Sequence, residues 1–141
     1  MKNLGFSLIE LLVSISILVV LSTIGFINFR TVSQKSRDSR RLSDLEQIRG
    51  GLELYRSDAN QYPSGLYSVG GCTNSTLSYL GNIYIQRIPC DPERNVQYQY
   101  YRNAASPLRY YLGATLDFTI SSPVNCSSIV GFTSNYCIAN P

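Results

Sequence analysis

The sequence predicts an α+β fold, in which one long amino-terminal helix, apolar in its first half and amphipathic in its second, packs on a small antiparallel β-sheet. Three observations carry this expectation. Residues 6–29 hold a single charge, Glu10, and no proline. From residue 42 onward apolar side chains recur at Leu42, Leu45, Ile48, Leu52, Tyr55 and Ala59, steps of three and four that draw one stripe along a helix. Residues 96–102 (VQYQYYR) and 108–116 (LRYYLGATL) are rich in aromatics and flank the short stretch 103–107, as two strands of a hairpin would.

The first of these stretches organises the chain. Its 24 residues exceed the roughly 20 apolar residues that a helix needs to cross a bilayer core. An ordinary secretory signal has a shorter apolar run of about 7–15 residues and a small-residue cleavage site, and this run has neither property. Glu10 stands out, because a carboxylate inside an apolar membrane segment costs a few kcal/mol, less near the interface, and calls for a partner. The sequence offers none within the same helix, and the nearest cation is Lys2.

Lys2, then Gly5-Phe6-Ser7-Leu8-Ile9-Glu10, then an unbroken apolar helix, resembles the class III signal of bacterial type IV pilins and type II secretion pseudopilins. The resemblance implies that a membrane prepilin peptidase cuts between Gly5 and Phe6 and methylates the new amino terminus. It also implies that Glu10 serves assembly by pairing, inside the membrane, with the Phe6 amine of a neighbouring copy. The chemistry agrees: Gly5 lacks a Cβ and lets a protease approach the backbone closely. An ion pair in a low-dielectric setting is strong once formed and heavily penalised when one partner is missing.

Beyond residue 29 the helical signal runs on without a proline until Pro63. Residues 31–39 are polar nearly all round apart from Val32, which places them at a membrane surface or against neighbouring copies and outside a core. Gly25 and the pair Gly50-Gly51 are candidate soft points, each weaker than alanine by about 1 kcal/mol, or positions of close packing. Many pilins of the family carry a proline within the membrane part; this chain has Gly25 instead. Asn60-Gln61-Tyr62-Pro63 stops the helix and resembles the helix end of pseudopilins. Residues 64–75 read as loop, 76–80 (TLSYL) as a short helix, and 88–92 (IPCDP) as a rigid turn that matches an I-P-x-D-P element of the same family. A short strand is expected around residues 135–138.

Four cysteines, Cys72, Cys90, Cys126 and Cys137, all follow the membrane stretch, with spacings of 18, 36 and 11 and no C-x-x-C pair. That pattern suits disulfides in an oxidising compartment and no zinc site. Of the three possible pairings, Cys72 with Cys90 and Cys126 with Cys137 are preferred because each closes a local loop. Lys and Arg counts near the membrane favour a cytoplasmic head, with Lys2 on one side against Arg30, Lys35, Arg37, Arg40 and Arg41 on the other. Cysteine usage and the prepilin-like signal overrule that bias and predict an external head.

The chain has no histidine, hence neither the commonest general base nor the commonest metal ligand. No catalytic constellation or phosphate cradle is present, so no enzyme and no cofactor are expected. Asp91 and Glu93 read as capping or solvated acids. Some pseudopilins bind calcium through carboxylates in their carboxy-terminal loop; residues 118–141 contain no Asp or Glu, and the cysteines are expected to staple that segment with no metal. The 11 tyrosines, all after residue 54, read as half-buried strand residues whose hydroxyls reach water. Arg37, Arg40 and Arg41 are expected to pair with Asp38, Asp44 and Glu46 on this or adjacent helices; a net charge of +3 gives no support for nucleic-acid binding.

The expected organisation is a leader at 1–5, a transmembrane and filament-core helix at 6–29, an amphipathic extension at 30–62, and a disulfide-bonded head at 63–141. The resemblance implies a structural subunit of a type IV pilus-like or type II secretion pseudopilus filament. Its partners would be copies of itself and related pilins, the prepilin peptidase and inner-membrane assembly machinery. It would be a single-pass inner-membrane protein before assembly and part of an extracellular or periplasmic filament afterwards. The rival reading is a monomeric membrane-tethered extracytoplasmic binding domain.

Overall fold

A computed structural model describes residues 5–68 and 71–140, with the side chains of 24–28 excepted. Residues 1–4 of the expected leader therefore lie outside the described residues. Helix α1 spans Leu8–Ala59, 52 residues, and includes Gly25 in its helical backbone. It stops at Asn60, whose φ of 55° is left-handed and whose N–H donates to the Arg56 carbonyl at 2.9 Å. Asparagine is one of the few residues that tolerates this conformation, and Pro63 prevents the helix from resuming. The chain divides into two units, Met1–Lys35 and Ser36–Pro141.

In the first unit every side chain from Phe6 to Thr23 is exposed. Residues 24–28 of the predicted membrane segment fall among those whose side chains are not described. Among the described residues no helix is long and apolar enough to cross a membrane.

In the second unit the apolar stripe of α1 becomes the centre of the core. Leu45, Ile48 and Leu52 are 1% exposed or less, with Leu42 and Tyr55 packed at the margin. Three strands cover them: β3 (Gln99–Arg102), β4 (Tyr110–Ala114) and β5 (Tyr136–Ala139), antiparallel in the order β3-β4-β5. The alternation of a strand sends Tyr110, Leu112 and Ala114 into the same cluster as the helix stripe. Tyr111 shares a second cluster with Cys126, Ile129, Cys137 and Phe132. The carboxy-terminal loop thus covers the other face of the sheet. It is held there by the Cys126–Cys137 disulfide and by the Gln99 side-chain oxygen, which accepts from the N–H groups of Thr133 and Ser134 at 2.9 Å. Gly113 permits the approach, since a Cβ there would lie 2.8 Å from Phe132 Cε1.

Residues 76–80 form no helix. Leu77–Tyr79 is strand β1 and pairs with β2, Asn82–Ile85, through a two-residue turn; Leu77 and Ile85 both point into the core, which a single helical turn could not achieve. The Cys72–Cys90 disulfide brackets this hairpin. Strand β3 begins at Gln99 and not at Val96, because the Val96 carbonyl accepts the Asp91 N–H at 3.0 Å and belongs to the turn before it. The loop between β3 and β4 extends to Arg109, whose N–H donates to Ser106. Several tyrosine hydroxyls point inward instead of reaching water. Tyr67 donates to the Pro89 carbonyl at 2.7 Å, Tyr100 to the Pro63 carbonyl at 2.6 Å and Tyr98 to Asp44 at 2.7 Å. Burial pushes all three hydroxyls above the usual tyrosine range, so they stay protonated and serve as donors to half-buried acceptors.

The Gly50-Gly51 pair separates into two cases. A Cβ on Gly51 would run into Cγ1 and Cδ1 of Ile85, whereas one on Gly50 meets nothing within 4 Å. The hairpin therefore sits directly on the helix backbone at Gly51. Thermal unfolding of the two alanine variants should move in opposite directions. Gly50→Ala is expected to stabilise by up to about 1 kcal/mol, and Gly51→Ala to destabilise by on the order of 1 kcal/mol or more because Ile85 must leave its packed position.

Candidate assembly site

The residues singled out for processing and assembly lie at the start of α1. Gly5 and Phe6 precede the helix in backbone with no regular structure, and Phe6 is 76% exposed. Glu10 finds a partner just ahead of its helix: its Oε2 accepts the Ser7 backbone N–H at 3.3 Å, while the Leu11 N–H donates to the Ser7 carbonyl at 3.2 Å. Ser7-Leu8-Ile9-Glu10 has the S-x-x-E spacing of a capping box, a signal legible in the sequence. The carboxylate thereby satisfies one of the helix's orphan donors and sits where the helix dipole favours negative charge. Lys2 lies outside the described residues.

The remaining polar side chains of this stretch are also spent internally. Ser14, Ser16, Ser22 and Thr23 donate to the carbonyls of Glu10, Val13, Leu18 and Val20 at 2.7–2.8 Å. Hydroxyls that bond back onto the helix make few demands on an apolar environment. The exposed surface from Leu8 to Thr23 is accordingly apolar in function as well as composition.

In the second unit, α1 carries a buried guanidinium that the sequence reading placed only in part. Arg41 is fully buried and meets carboxylates from three segments. Asp38 lies one turn back on α1 at 2.7 Å, Asp91 of the I-P-C-D-P turn at 2.7 Å, and Asp117 after β4 at 3.0 Å. Arg37 reinforces this at the rim, 3.1 Å from Asp117 and 3.3 Å from Glu93. Asp38 was expected outside a core, yet it is buried and accepts the N–H groups of Asp117 and Phe118, both at 2.9 Å. Asp91 caps its own turn through the N–H groups of Glu93 and Arg94 at 2.9 Å, and holds Arg41 with its other oxygen. Of the other expected pairings, Asp44 takes the Tyr98 hydroxyl and Glu46 lies 3.4 Å from Arg49. The four cysteines form two bonds, Cys72–Cys90 and Cys126–Cys137. Among the described residues no group of cysteine and carboxylate side chains is arranged to hold a metal ion.

The electrostatics of the cluster set a pH window. Burial alone would raise the Asp91 carboxyl, but Arg41 and the two backbone N–H donors outweigh it and hold it below the ordinary value. Asp117 is depressed likewise, burial opposing and Arg41 and Arg37 prevailing. Because both folded values lie below those of the unfolded chain, the stability they contribute is present above the ordinary aspartate pKa of about 3.9 and is lost as pH falls through the depressed values. Arg41→Ala leaves four acids, Asp38, Asp91, Glu93 and Asp117, around an empty space and should destabilise by about 3–5 kcal/mol. Unfolding measured from pH 6 down to pH 2 should show the acid loss in the parent and a flatter profile in Arg41→Met.

The profile described as the prokaryotic N-terminal methylation motif matches residues 1–26. The type II secretion system core protein G of Aeromonas hydrophila is 30% identical over 100 residues, covering 67% of this chain and 70% of that protein. Its namesake in Escherichia coli K12 is 33% identical over 67% of this chain and 69% of its own length. That of Vibrio cholerae is 32% identical over 70% of each. No solved structure matches the chain. A capped acid one turn into an exposed apolar helix, a methylation motif across that helix and two-thirds coverage of these relatives all agree, and the chain belongs to the type IV pilin and type II secretion pseudopilin family.

Proposed function

We propose that this chain is a structural subunit of a type II secretion pseudopilus or a similar type IV pilus-like filament, held in the inner membrane until it is processed and assembled. The carrying observation is the surface of the first unit, where Phe6 is 76% and Leu8 80% exposed and every other apolar side chain to Leu21 is also uncovered. A monomer in water rarely exposes a contiguous apolar patch larger than a few hundred Å². A surface of this kind calls for lipid before assembly and for the same helix of neighbouring copies afterwards.

In this reading the prepilin peptidase cuts after Gly5, ahead of the helix, and the new Phe6 amine of one copy reaches Glu10 of the next. The Ser7 cap supports the carboxylate meanwhile, so a subunit waiting in the membrane does not carry a bare charge. The inner-membrane assembly machinery would extract it from there, and the head with its two disulfides would stand in the periplasm or beyond. The function is mechanical, and the second unit contributes a rigid head with no bond chemistry of its own.

Two measurements test this. Mass spectrometry of the native chain should report a polypeptide that begins at a methylated Phe6 and contains no free thiol; retention of Met1 to Gly5 in mature material would remove the processing step. Glu10→Leu should abolish filaments while leaving membrane insertion and head stability unchanged. Filaments of normal yield from Glu10→Leu would favour the tethered-monomer alternative.

A further inference from the structure

The cations that follow the apolar stretch, Arg30, Lys35, Arg37, Arg40 and Arg41, divide into two kinds. Arg41 is fully buried among carboxylates, and Arg37 is paired with Asp117 and Glu93, so the head engages both. Arg30 and Lys35 belong to the first unit and are exposed. No acid lies between Glu10 and Asp38. Asp38 itself is engaged by Arg41 and by the N–H groups of Asp117 and Phe118. A bare apolar helix surface therefore ends in two exposed cations, and no acid of that unit neutralises them.

Their spacing on α1 selects the partner. Arg30 directly follows Phe29, the last residue of the apolar run, and Lys35 stands about 7.5 Å further along the axis. The headgroup layer on each side of a hydrocarbon core is about 5–8 Å deep, within reach of both flexible side chains. Around the axis the two positions lie about 140° apart. Lipid surrounds a helix on every side, whereas a protein partner covers one face. A second copy also has no free acid to offer. Glu10 accepts from Ser7, while Asp44, Glu53 and Asp58 accept tyrosine hydroxyls. The remaining acids lie against arginines of their own chain. Resting on the reading above that the first unit sits in the inner membrane, we infer that Arg30 and Lys35 bind the phosphates of anionic phospholipids. These belong to the leaflet on the head side, and the contact fixes how deep the helix sits before assembly. It also gives a use to cations that, beside an external head, stand where the positive-inside bias disfavours them.

The test uses the full chain reconstituted in vesicles of equal phosphatidylglycerol and phosphatidylcholine, with the lipids it retains on mild extraction counted by native mass spectrometry. The unmutated chain should retain phosphatidylglycerol preferentially, and less so at high salt. Arg30→Gln with Lys35→Gln should lower the ratio of anionic to zwitterionic lipid about tenfold and leave the melting of the head unchanged. Arg87→Gln with Arg109→Gln removes the same charge from exposed positions of the head and should keep the parent ratio. An unchanged ratio in the first pair, or an equal fall in the second, would overturn the lipid site and leave the membrane reading intact. Filament yield that falls in the first pair while its lipid ratio holds would overturn it too, and assign the two cations to a neighbouring copy. A chain that fails to float with vesicles of either lipid alone would overturn the membrane reading and the lipid site with it.

Discussion

A continuous apolar helix surface has to be covered, and the two halves of α1 meet that demand differently. In Ser36–Pro141 the stripe Leu45, Ile48 and Leu52 is covered by the chain itself, through a sheet whose central strand contributes Tyr110, Leu112 and Ala114. Among the described residues of Met1–Lys35, side chains 6–23 are all exposed. The polar groups of that half follow from the same demand: four hydroxyls and one carboxylate are bonded to their own backbone, which lowers the penalty of exchanging water for hydrocarbon. The packed half gives a folded head, and the bare half gives an assembly element.

Arg41 addresses a second problem, the location of segments far apart in sequence on one turn of helix. The guanidinium donates in three directions, to α1, to the 91–94 turn and to the stretch after β4. Buried ion pairs are weak evidence of stability, since desolvation offsets much of the Coulomb attraction. Their geometric demand is the sharper property, because a fork of fixed shape accepts few alternative arrangements of carboxylates from three segments. The cluster is best understood as fixing where the two loops lie on the helix, with stability maintained chiefly by the apolar layer beside it.

The periodic features were legible in the sequence and the non-local ones were not. A stripe with steps of three and four gave α1 and its core positions, and Asn60 and Pro63 gave its end. The aromatic runs yielded β3 and β4 with ends misplaced by two or three residues, because turn hydrogen bonds at Val96 and Arg109 claim residues that have strand composition. Residues 76–80 were misread since three strand residues are too few to show a period, and their partner β2 lacks alternation. Asp38 was misplaced for another reason: a polar segment looks solvated until Arg41 is known to be beneath it, and nothing local names Asp91 or Asp117 as partners. The S-L-I-E cap is legible as the spacing of Glu10 from Ser7, a signal separate from the charge of Glu10. The tyrosine hydroxyls follow the same pattern, their carbonyl acceptors lying 22 and 37 residues away.

Both disulfides join cysteines that are near each other along the chain, at separations of 18 and 11, and this bears on how the head acquires them. Loop-closure entropy rises with the logarithm of loop length, so bridging Cys72 to Cys137, 65 residues apart, is harder than bridging Cys72 to Cys90 by on the order of 1 kcal/mol. In each case the bonded partner is the nearest cysteine along the chain. Scrambled pairings are thereby disfavoured before any sheet exists, and the head can close its two staples in sequence order with little need for later reshuffling.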